Sequence, residues 1–193
     1  MSAQTIKAAA LRLFALRGYD GVPLSEIAKE VGIRTPSIYA HFSSKDDLFM
    51  AVFEDVLAEH SMRLERLIER LKGRSVEERL YTVLHDTCQT YLLSEEHMTF
   101  LKRTMLFPTA GLKDSLLERF TATEDRLNGM LRDIFTDGIA SGLLREEKTD
   151  DLIVSFYCLL DGTFIQQFYY RPDDWENRLQ TVWRIYWQGL TKR

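Results

Sequence analysis

The side chains best placed for chemistry in this chain lead one short helical pattern. Arg34, Thr35, Pro36, Ser37 and Tyr39 follow a glycine turn at Gly32, and Lys45 opens the next helical run. Hydroxyls and a cation at the front of a short helix are not a catalytic set. They suit hydrogen bonding to base edges and to phosphate oxygens. The stretch LSEIAKEVGIRTPSIYAHFSSK (Leu24–Lys45) supplies the frame for such contacts. Ile27, Ala28 and Val31 mark one face of a first short helix. Gly32 gives the permissive backbone of a tight turn, and Pro36 sits where a helix can start with its φ already set. Ile38 and Phe42, four apart, mark the buried face of the second helix. That is the plan of a helix-turn-helix, whose second helix presents its leading residues to the DNA major groove.

Other chemistry finds little support. His85 and Cys88 lie three apart on one helical face, but no second ligand pair accompanies them, so no metal site is expected. None of the four histidines follows a glutamate by three positions, which removes the paired Glu-x-x-His pattern of di-iron bundles. There is no phosphate-binding glycine loop, no Gly-x-Ser-x-Gly elbow and no Cys-x-x-Cys. The chain is expected to have no catalytic residues and no cofactor, and not to be an enzyme.

The elements that must position these side chains are helical throughout. Ile6, Ala9, Ala10, Leu13 and Phe14 form one stripe that Gly18 can end. Ser44 is expected to cap a long helix from Lys45 to about residue 72, whose early apolar face (Leu48, Phe49, Val52, Phe53) should pack on the DNA-reading head. Further helical patterns run over about 76–93, 95–106, 112–140, 149–170 and 174–190. The spacing thus predicts an all-α protein of about nine helices. A three-helix helix-turn-helix domain over 1–47 is expected to precede a larger helical domain over 48–193, the helix at 45–72 linking the two.

Composition bounds the setting. The 193 residues carry a net charge of −4, unevenly distributed. Residues 1–50 hold six lysines and arginines against five carboxylates, so the acidity belongs to the remainder. Nothing approaches the ~20 apolar residues of a membrane span. Two cysteines cannot make a disulfide framework, so a reducing cytoplasm is the expected location.

The last two helical patterns are apolar and aromatic. Leu159, Gly162 and Gln166 on the first, with Leu179, Val182, Trp183, Tyr186, Trp187 and Leu190 on the second, are candidate dimer-interface residues. For any one of them the plainer reading is intrachain core. As a pair the helices suit a two-fold interface, because a helix-turn-helix protein needs symmetry to read two half-sites.

The segment AAALRLFALRGYDG (Ala8–Gly21) followed by IAKEVGIRTPSIYAHFSSKDDLF (Ile27–Phe49) resembles the signature of the TetR family of bacterial transcription regulators. The likeness covers about a third of the chain; beyond it only length, helicity and an aromatic final helix pair agree. It implies a homodimeric repressor on double-stranded, palindromic DNA, released by a small molecule bound among the C-terminal helices. It also implies contacts from Thr35, Pro36, Ser37, Tyr39, His41 and Lys45, with His41 at the phosphate backbone. Arg34 replaces the family's usual small capping residue and is counted as a contact. Pro23 replaces the usual Ser or Thr cap of the preceding helix, so Ser25 is expected to share that role or to touch a phosphate. Candidate ligand-lining residues are His85, Cys88, Tyr91, Met98, Leu101, Met105, Phe120, Phe156 and Tyr157, a set that suits an apolar or aromatic inducer. The competing reading is a helical ligand-binding or scaffold module that no longer reads DNA sequence.

Overall fold

The computed structural model describes residues 2–93, 95–166 and 169–192, with the backbone alone at 90–93, 172 and 173. Among the described residues the chain is built from helices: α1 (Ala3–Arg17), α2 (Leu24–Glu30), the 3₁₀ turn η1 (Thr35–Ser37), α3 (Lys45–Arg70), α4 (Val76–Leu93), α5 (Glu95–Leu106), α6 (Lys113–Ala140), α7 (Thr149–Gln166) and α8 (Pro172–Leu190). The chain forms two compact units, residues 1–61 with 93–124 and residues 62–92 with 125–193, so α3 and α6 contribute to both.

Local chemistry explains where the helices begin and end. Ser2 caps α1 by accepting from the Thr5 amide, and Gly18, at φ 74°, ends the helix by returning its N–H to the Phe14 carbonyl. The Ser44 hydroxyl accepts from the Asp47 amide, while the Asp47 carboxylate accepts from the Ser43 amide, 2.8 Å away. The same reciprocal capping opens α4 between Ser75 and Glu78. The two Ser75 donors hold the Glu78 carboxyl below the usual carboxylate range. α8 begins at Pro172, whose fixed φ and missing N–H suit a first helical position.

The α-helix expected over 36–42 is instead one 3₁₀ turn followed by turns to His41. Ser37 donates to Arg34, Ile38 to Thr35 and His41 to Ile38, each three residues back; only Phe42 donates four back, to Ile38. The run is too short for α-helical cooperativity, and Pro36 removes a donor at its start.

In the first unit Ile6, Phe14, Val22, Ile27, Ile38, Leu48, Phe49, Phe53 and Phe100 are buried. Phe49 holds the centre of an aromatic chain, with ring centroids 5.0 Å from Phe14 and 5.3 Å from Phe100. The second unit has one continuous core in which Leu84, Cys88, Phe135, Phe156, Trp175, Leu179, Trp183 and Leu190 take part. Residues 143–145 and 190–192 pair there like two strands: Arg145 donates to Leu190, and Lys192 to Leu143.

Candidate nucleic-acid interface

η1 is fixed by what it buries. Ile38 is fully buried and Phe42 nearly so, which pins the segment against the small core and turns its other side chains outward. Arg34, Pro36, Ser37 and His41 are exposed, and Thr35 is half-buried. The Tyr39 ring is 57% exposed, so it does not serve as a core-closing aromatic. Ser25 is exposed at the start of α2, which begins at Pro23 without a side-chain cap.

Lys45 is held differently. It is half-buried, with its ammonium 4.1 Å above the centre of the Tyr19 ring. The Tyr19 hydroxyl donates to Asp46, and its ring meets Phe49 edge-on at 5.2 Å. Burial, reinforced by the Asp46 carboxylate, raises the Tyr19 pKa, so the phenol stays a neutral donor. Cation–π contact, the Asp46 bond and the cap at Ser44 fix the first turn of α3, so Lys45 presents its cation from a defined place.

Charge is sorted across this unit. Lys7 pairs with Asp55, Arg12 with Glu30 and Arg17 with Glu26. The Arg17 hydrogen bond, foremost, lowers the Glu26 carboxyl pKa. Lys29, Arg34 and Lys45 form no ion pair among the described residues. Residues 1–50, with charges nearly balanced, therefore keep cations outside ion pairs near the segment that carries the exposed hydroxyls, as a phosphate-facing surface requires.

The nine ligand-lining candidates divide between the units. Met98, Leu101, Met105 and Phe120 belong to the first, with Met98 and Leu101 buried. Cys88 and Phe156 lie fully buried in the core of the second, and Tyr157 packs against that core. His85 is half-buried on α4, its Nε2 3.5 Å from a Glu176 oxygen. The Tyr91 side chain lies outside the described residues. Arg103, on α5, donates to the carbonyls of Ala15 and Leu16 at the end of α1.

The candidate interface residues of α7 and α8 also separate. Leu179, Trp183 and Leu190 are buried in their own chain's core, so their side chains are already committed there. Gly162 and Gln166 are exposed, while Leu159, Val182, Tyr186 and Trp187 are half-buried. The apolar side chains facing outward are Val154, 62% exposed, and Ile185, 59% exposed. Two roles escaped the sequence reading. Tyr19 was visible only as part of the Gly-Tyr-Asp-Gly run, and the contact of Arg103 joins residues far apart in the chain.

A helical head whose short second element buries its apolar residues and exposes hydroxyls and cations defines a helix-turn-helix DNA-binding protein. The family model described as "Bacterial regulatory proteins, tetR family" matches residues 6–52, the same head. The fatty acid metabolism regulator protein of Bacillus subtilis (strain 168) is 28% identical over 142 residues, 72% of this chain and 68% of that protein. The HTH-type transcriptional repressor KstR2 of Mycolicibacterium smegmatis is 25% identical over 166 residues, 84% of this chain and 76% of that protein. Among solved structures, the transcriptional regulator FadR from Bacillus subtilis in complex with stearoyl-CoA superposes with a TM-score of 0.73 at 22% identity, covering 98% of this chain and 100% of that one. Residues 6–52 thus match the tetR family of bacterial regulatory proteins, and over most of its length the chain is similar to transcriptional regulators.

Proposed function

We propose that the protein is a homodimeric repressor that leaves a palindromic operator when a small molecule with an extended apolar part binds among its C-terminal helices. The observation that carries this reading is the exposure of Arg34, Pro36, Ser37, Tyr39 and His41 around the buried Ile38 and Phe42. A helix-turn-helix kept only as scaffold has no need of that polar set facing water. Residues 1–47 supply the DNA contacts, with Ser25, Thr35 and Lys45 completing them, and the rest of the chain supplies ligand binding and dimerisation.

For dimerisation we assign the outward stripe of α7 (Val154, Cys158, Gly162) to a second copy, with Ile185 and Gly189 of α8. Two exposed aliphatic side chains beside exposed glycines allow close helix approach. Two-fold pairing then sets the recognition elements roughly 34–36 Å apart, or a multiple of that, to match successive turns of DNA. For the ligand, the aromatic core of the second unit suits an apolar body. The buried Nη1 of Arg63 and Oδ1 of Asn128 have no hydrogen-bond partner among the described residues, which favours a ligand that also carries polar groups. Such a ligand releases DNA only by binding the released state more tightly, and the coupling cannot exceed that difference.

The test is selection of random duplex DNA by the purified protein, followed by titration of the selected site with stearoyl-CoA and, separately, with choline. A palindrome with half-sites about one or more turns apart, bound with steep salt dependence and released by the acyl thioester alone, is the expected result. Failure to enrich any sequence would overturn the DNA-reading assignment. Release by choline and not by the acyl thioester would overturn the assignment of an apolar ligand.

A further inference from the structure

Within the first unit, one side chain of α5 closes the end of α1. Arg103 Nη1 donates to the carbonyl of Ala15 at 3.1 Å and to that of Leu16 at 2.9 Å. These are among the last carbonyls of α1, which a helix leaves without intrahelical donors. The guanidinium also lies across Gly18, where a Cβ would stand 3.2 Å from its Nε. The next residue is Tyr19, whose ring lies parallel to Phe14 at 6.3 Å and beneath the Lys45 ammonium. Phe14, Gly18, Tyr19, Phe49 and Arg103 line one open cleft of about 200 Å³. The turn from Gly18 to Tyr19 can therefore shift into free space when its clasp is released.

We infer that Arg103 is a positioning residue for DNA binding: by holding the last turn of α1 it holds Tyr19, and Tyr19 holds Lys45 at the phosphate. The inference rests on the reading of Lys45 as a phosphate contact. A cation held over a ring whose hydroxyl is tied to Asp46 presents one fixed donor; a lysine freed from that ring samples many rotamers and contributes less to a specific contact. Movement of α5 away from α1 breaks the two carbonyl bonds, loosens the Gly18–Tyr19 turn and releases the lysine. Operator affinity is thereby tied to α5 through a contact that does not touch DNA.

The test is a double-mutant cycle on the full-length protein, with affinity for the selected operator titrated against salt. Lys45→Ala should lower the slope of log affinity against log salt by about one, the signature of a lost phosphate contact. Arg103→Ala should weaken binding by about tenfold and lower that slope by a similar amount, although Arg103 is outside the interface. In the Lys45→Ala background, Arg103→Ala should have no further effect on affinity or slope. Arg103→Lys, which keeps a donor near the carbonyls, should fall between wild type and Arg103→Ala and covers the case in which the alanine variant does not fold. Tyr19→Leu should reproduce the Arg103→Ala slope. Equal weakening by Arg103→Ala in both backgrounds, or an unchanged slope, would overturn the inference and leave Arg103 a stabilising contact. An unchanged slope for Lys45→Ala would overturn the underlying phosphate assignment as well, and is recognisable because wild-type binding persists.

Discussion

The two units solve opposite problems with the same secondary structure. In the first, a few buried side chains (Ile27, Ile38, Phe42, Phe49) hold a short segment so that its polar residues project into water. In the second, long helices turn most of their aromatic surface inward, and Phe135, Phe156, Trp175 and Trp183 join one core. The exposed side chains of the head can therefore be replaced at little cost to the fold. In the body the same residues that would meet a ligand also hold the helices together, so binding and stability are hard to separate.

Substitutions should expose that contrast. Phe156→Ala should cost about 3–5 kcal/mol in chemical denaturation, since a fully buried ring is replaced by a cavity. A loss under 1 kcal/mol would mean that the second unit already accommodates space around this ring. Tyr39→Phe combined with Lys45→Ala should abolish operator affinity in a fluorescence anisotropy titration while leaving the melting temperature nearly unchanged. Retained affinity would remove these two side chains from the interface. Ile185→Asp should give monomers in sedimentation velocity and weaken operator binding with little change in helicity; persistent dimers would place the two-fold contact elsewhere.

The smallest effect tests a cap. Ser75→Ala should cost about 1 kcal/mol near neutral pH. Because the Glu78 pKa is lowered in the folded state, its contribution is present above the ordinary carboxylate range and lost as pH falls through the depressed value. The difference in melting temperature between Ser75→Ala and wild type should therefore narrow in acid. A constant gap would mean that the carboxylate plays no part in the cap.

What could be read in advance follows from the range of the forces involved. Capping and helix termination act within a few residues, so Gly18, Ser44 and the helices at 76–93 and 95–106 were legible from spacing alone. The recognition element was legible as a motif but not in its winding, because α and 3₁₀ turns share the same φ preferences over so few residues. The facing of the terminal helices was not legible. Leu179 and Trp183 satisfy the three-four spacing of an interface as well as that of a core, and the choice depends on what packs against them. Arg103 carried no local signal at all, since its acceptors are backbone carbonyls of a distant helix.

The strand-like pairing of residues 143–145 with 190–192 has a mechanical consequence. A helix ending in solvent frays and can swing about its far end. α8 has its last turn tied by backbone bonds to the loop that follows α6. The Gly138 carbonyl accepts the amides of Leu143 and Leu144, and a Cβ at Gly138 would lie 2.5 Å from the Leu144 side chain, so the loop is clamped to α6 in turn. Within the second unit α8 therefore behaves as a strut. A load applied to this end of α8 is passed to the end of α6, while any freedom to pivot is left to its beginning at Pro172.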